Sequence, residues 1–66
     1  MDSYIAYFEA QEEWYSTRST LLEKEEEYAA NPGDIHLEEE IMLLRVDLSR
    51  LSKLMDRLAG NYEEAY

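Results

Sequence analysis

Asn31-Pro32-Gly33-Asp34 decides how this chain folds, because it is the one strong break in 66 residues. Pro32 disfavours the helical region for Asn31, and Gly33 accepts the backbone angles of a tight turn. Asp34 is placed to cap whatever helix follows. Residues 3–30 upstream and 35–59 downstream contain neither Gly nor Pro. Nothing alternates at period two long enough to suggest a strand. The expectation is an all-α antiparallel two-helix hairpin in one domain. Its helices span about 3–30 and 35–59, with a turn over 31–34 and a tail over 60–66. Asp2 or Ser3 can cap the first helix, and Gly60-Asn61 reads as a C-terminal signal for the second. The tail Tyr62–Tyr66 either extends that helix or frays.

The second helix carries the clearest pattern. Leu37, Leu44, Leu51 and Leu58 recur every seventh residue, with Ile41, Leu48 and Met55 between them. This is an uninterrupted heptad stripe. The first helix carries doublets at the same period: Tyr7-Phe8, Trp14-Tyr15, Leu21-Leu22 and Tyr28-Ala29. Pairing Tyr7 with Leu58, Trp14 with Leu51, Leu21 with Leu44 and Tyr28 with Leu37 gives residue numbers that always add to 65. An antiparallel hairpin closed by a short turn requires such a constant. The same register places Glu9 near Arg57, Glu12 near Lys53 and Arg18 near Asp47, three opposite-charge pairs of small individual weight. Gln11, Arg18 and Glu25 fall at seam-like positions, where polar residues set register.

Composition narrows the function. Six Lys and Arg stand against 16 Asp and Glu, a formal net charge of −10. Direct nucleic-acid binding is unexpected, since phosphate affinity comes from Lys and Arg. There is no Cys and one His, so neither a disulfide nor a multi-histidine metal site is available. His36 reads as a first-turn surface residue. No apolar run approaches the ~20 residues of a membrane span, and no leader pattern is visible. The expected location is cytoplasmic, that of the host cell if the chain is viral. No Gly-rich phosphate loop, catalytic triad or calcium loop is present, so no cofactor, metal or enzymatic activity is expected.

Charge is unevenly spread. Folding at Pro32 brings Glu23, Glu25, Glu26 and Glu27 beside Asp34, Glu38, Glu39 and Glu40, opposed by Lys24 and His36. Helix dipoles favour acids in the first turns of the second helix and disfavour them in the last turns of the first. Such a pole suits a basic surface on another protein, including one that normally holds nucleic acid.

Apolar surface is in surplus. Met42, Leu43, Val46 and Leu54 lie off the heptad line, and Tyr4, Ile5 and Trp14 widen the apolar face of the first helix. Each large side chain left exposed forfeits ~1.5–3 kcal/mol of burial. Met42, Leu43, Val46, Leu54, Tyr4 and Trp14 are therefore the expected self-association residues, with a four-helix dimer as the simplest assembly.

The stretch Leu37-Glu38-Glu39-Glu40-Ile41-Met42-Leu43-Leu44-Arg45 resembles oligomerising helices of some phage packaging proteins, the small-terminase-like chains. It covers about a third of the second helix. That family also needs a basic DNA-binding segment, which this sequence lacks, so no function is carried across. The leading expectation is a small acidic inhibitor or modulator that docks its carboxylate pole on a basic site of a partner protein. A chain complete from Met1, this small and this acidic, fits a virus-encoded antagonist of host defence. The alternative is a structural adaptor or co-chaperone working through its apolar face. A third reading is an oligomer that sequesters a small ligand.

Overall fold

A computed structural model describes the backbone of residues 2–64 and the side chains of residues 4–60. Two helices, α1 (Asp2–Ala30) and α2 (Ile35–Glu64), run antiparallel as a hairpin. The rod measures 50 × 14 × 13 Å. The side chains of Asp2, Ser3 and Tyr62, and all of Ala65 and Tyr66, lie outside the described residues.

The reversal takes four residues and uses each one. The Asn31 amide donates to the carbonyls of Glu27 (3.0 Å) and Tyr28 (3.1 Å), which closes α1. Gly33 adopts φ 95°, a left-handed conformation that a Cβ would strain. Asp34 then starts α2. Its carboxylate accepts from the His36 and Leu37 amides (3.0 and 3.2 Å), and its carbonyl accepts from the Glu38 amide (3.1 Å). These bonds satisfy amides that no helical carbonyl can reach.

Gly60-Asn61 does not end α2, which continues to Glu64. A glycine stop needs the left-handed conformation, and among the described residues only Gly33 adopts positive φ. Gly60 is an ordinary helical residue, tolerated at roughly 1 kcal/mol relative to Ala.

The α2 side of the interface is the heptad stripe. Ile41 and Leu51 are buried, Leu51 at 1% exposure, while Leu37, Leu44, Leu48, Met55 and Leu58 are partly buried. On α1 the structure divides each doublet. Tyr7, Trp14, Leu21 and Tyr28 turn inward; Phe8, Tyr15, Leu22 and Ala29 stay exposed. A second inward line is Ala10, Thr17 and Lys24; of the seam-like polar positions, Gln11 and Glu25 are partly buried as well, whereas Arg18 is exposed. Two adjacent residues lie ~100° apart on a helix, so a doublet fits a seam on either flank. The structure takes the flank with small residues, and Ala10 is 4% exposed.

The register is as the sequence predicts. Trp14 Nε1 donates to Ser52 Oγ at 3.1 Å, and the Tyr28 hydroxyl donates to Glu38 at 2.8 Å. The expected charge pairs do not form. Among the described residues, Lys24–Glu40 (3.0 Å) and Arg45–Glu25 (2.9 Å) cross between the helices. Asp47 pairs instead with Arg50 on its own helix (3.9 Å), and Arg18 lies over the Trp14 ring at 5.3 Å. Glu9, Glu12, Lys53 and Arg57 point outward and remain solvated.

Leu51→Ala is expected to cost about 2–5 kcal/mol, enough to unfold an isolated hairpin whose net stability is ~3–5 kcal/mol. Ala10→Leu is expected to cost about 1–3 kcal/mol by overpacking. Circular-dichroism melts read both. Equal melting of Leu51→Ala and the parent would contradict the seam.

Candidate functional site

Two surfaces remain after the seam is assembled: the acid-rich turn end and the exposed apolar residues along the rod. The turn end is built by the reversal itself, which sets the last two turns of α1 beside the first two of α2. The eight carboxylates named above all fall there, but they are not equivalent. Asp34 is spent on the cap. Glu25 is held by Arg45, Glu38 accepts from Tyr28, and Glu40 is held by Lys24, which also approaches Glu27 at 3.9 Å. Glu23, Glu26 and Glu39 have neither an ion pair nor a hydrogen bond, and all three are exposed. Arg45 is the cation that sequence reasoning missed at this end. Its residue number and that of Glu25 add to 70, about one turn off the mean register, within reach of a long side chain.

Among the described residues no group of three or more His, Asp or Glu could hold a metal ion. His36 is exposed, as its place two residues after the cap implied.

The apolar surface is larger. Among the described residues, nine large hydrophobic side chains are between 48% and 67% exposed. Of the expected association residues, Met42, Leu43 and Val46 are among the most exposed, Tyr4 is 51% exposed, and Leu54 is partly buried. Trp14 lies in the hairpin seam, with its indole N–H given to Ser52. Four residues were not singled out from the sequence as surface: Phe8, Tyr15, Leu22 and Ile35. The signal was present. Phe8, Tyr15, Leu22 and Ala29 recur every seventh residue, a second apolar line beside the seam. Tyr4 and Phe8 meet edge to face at 4.9 Å, as do Trp14 and Tyr15 at 5.1 Å, so the stripe begins in an aromatic cluster.

An open groove of about 550 Å³ lies beside the turn, between Ala29, Ile35, Ile41 and Met42, with Glu25 and Arg45 at its edge. A second, of about 330 Å³, follows the same flank toward the open end, between Gln11, Tyr15, Ser52 and Ala59. No described helix is long and apolar enough to cross a membrane.

Compared with known protein families, curated proteins and solved structures, the chain matches none. The likeness of Leu37–Arg45 to phage packaging helices therefore remains a local one.

Two groups at the turn end are shifted. The hydrogen bond to Glu40, then the charges of Glu40 and Glu27, raise the Lys24 pKa. The hydrogen bond to Glu38, with partial desolvation and the charge of Glu38, raises that of Tyr28. In both cases the protonated form holds the contact. Their stabilisation is complete below the ordinary values of 10.0 and 10.5 and is lost as pH climbs through the raised ones. The melting temperature is expected to decline in alkaline solution above those values. Tyr28→Phe should remove the Tyr28 share of the decline, and an unaltered pH profile in that variant would contradict the contact.

Proposed function

We propose that the chain is a non-catalytic protein-binding hairpin, active as a homo-oligomer, that docks its acid-rich turn end on a basic surface of a partner protein. The observation behind this reading is the placement of Glu23, Glu26 and Glu39. They are exposed and unpaired at one end of a 50 Å rod, beside five further carboxylates. Like charges crowded this way repel, and a basic partner relieves them. The same field would steer association and make it sensitive to salt. A basic surface that ordinarily holds nucleic acid fits the charge pattern, because a narrow rod of carboxylates resembles the spacing of phosphates.

A second reading, an assembly adaptor, draws on a different observation. Leu43 and Val46 are 67% and 62% exposed on α2, with Leu43 bordering an open groove beside Thr20 and Lys24 of α1. An exposed apolar surface of this kind suits a partner helix.

Salt and charge reversal separate the two. Proteins captured by the immobilised chain at low salt should be released by about 0.2 M salt. Glu23→Lys with Glu26→Lys and Glu39→Lys should capture none of them while keeping its helicity. Capture that survives both the salt and the reversal, but is lost in Leu43→Asp or Val46→Asp, would overturn the acidic-pole reading in favour of the adaptor.

A further inference from the structure

We infer that a second copy of this chain covers the flank that carries Phe8, Tyr15, Leu22, Ile35 and Met42, and that the two copies run head to tail. The inference rests on the self-association proposed above and adds its surface and direction.

Spacing selects the occupant's shape. On α1 the apolar residues Phe8, Tyr15, Leu22 and Ala29 recur every seventh position, with the polar residues Gln11, Arg18 and Glu25 between them, and on the same side α2 adds Ile35 and Met42 near the turn and Ala59 near the open end. A surface at this spacing is filled by helices that lie along it.

Charge selects an acidic occupant over a basic one. Among residues 4–60 this flank carries Arg18 and Arg45 against Glu25, Glu38, Glu39 and Asp56. Two of the ten excess negative charges fall on it. A second acidic chain can approach here without meeting the other eight, whereas a basic chain is drawn to the remaining faces.

Size agrees. A compact monomer of 7.8 kDa would expose about 4,400 Å², and this rod exposes 5280 Å². The excess, roughly 900 Å², is close to the ~800 Å² that each partner buries in a standard stable interface.

Direction follows from the turn end. Side by side in parallel, two copies would bring sixteen carboxylates together. Head to tail, with the α1 helices centred on one another, the glutamates of the two poles stand roughly 20–30 Å apart at ~1.5 Å per residue, against a screening length of ~8 Å. This also keeps every neighbouring helix antiparallel, as in an up-down bundle. In that arrangement the α1 stripes pair at residue numbers adding to 33. Phe8 meets Glu25 of the second copy, Gln11 meets Leu22, and Tyr15 meets Arg18. Each ring faces a side chain that is not a ring, and Phe8 arrives at the groove between Ala29, Ile35 and Met42.

The chain has no native cysteine, so Asn31→Cys carries a single spin label at the turn. Dipolar spectroscopy on the assembled chain should give a distance of about 45 Å between copies, 29 residues along the rod at ~1.5 Å each. Sedimentation equilibrium should give twice 7.8 kDa. Phe8→Gln with Met42→Gln should raise the dimer dissociation constant roughly 100-fold. Leu43→Gln with Val46→Gln, off this flank, should leave it nearly unchanged. A monomer at every concentration would overturn both self-association and this geometry. A dimer with its turn ends adjacent, or one that ignores Phe8 and Met42, would overturn the geometry alone.

Discussion

Helices that reverse over four residues must lie side by side, and each can then give the other a single stripe. That constraint is set at Gly33 and Asp34, one by its left-handed backbone and the other by capping α2. It fixes the register, and the register fixes which residues can be neighbours. Trp14 reaches Ser52 and Tyr28 reaches Glu38 because the chain turns where it does. The stripe is also the limit of what two helices can bury. Ala10, Leu21, Ile41 and Leu51 are buried, while apolar side chains of equal size remain outside.

The same reversal makes the acidic end. Acids near the start of α2 gain from its dipole, and those near the end of α1 lose by it. The structure offsets part of this loss with Lys24 and Arg45, each reaching across to the other helix, and with the Tyr28 phenol. What remains is a smaller set of free carboxylates than the count of acids implies. An acidic end and a weakly charged apolar flank on one rod divide its surface between two kinds of contact, one electrostatic and one apolar.

The hairpin, its turn, the α2 stripe and the interhelical register were legible because each leaves a periodic or conformational mark. Leu and Ile at strict heptad spacing on α2 admit one inward face. The α1 doublets do not, since Tyr7 and Phe8 are equally apolar. The choice between them depends on how closely the backbones approach at Ala10 and Thr17. Ion pairs were not legible for a related reason. Arg18 has both Asp47 and the Trp14 face within reach of its register position, and the ring wins. The end of α2 stayed open between extension and fraying in the sequence, because Gly60 marks a stop only when its backbone turns left-handed. The carboxylates of the turn end were visible as a cluster, but their division into spent and free groups needed the positions of Lys24, Tyr28 and Arg45.

The fold rests on each chain turning back on itself rather than pairing as a straight rod with another. Spin labels at Glu9→Cys and Arg57→Cys, in chains diluted into unlabelled protein, measure this within one molecule. A hairpin holds these positions across neighbouring helices, whose axes are ~8–10 Å apart, so the labels should lie within about 20–25 Å once their arms are included. An unbroken helix would separate them by 48 residues at ~1.5 Å each, about 72 Å. A short intramolecular distance is the result this account predicts, and the long one would contradict it.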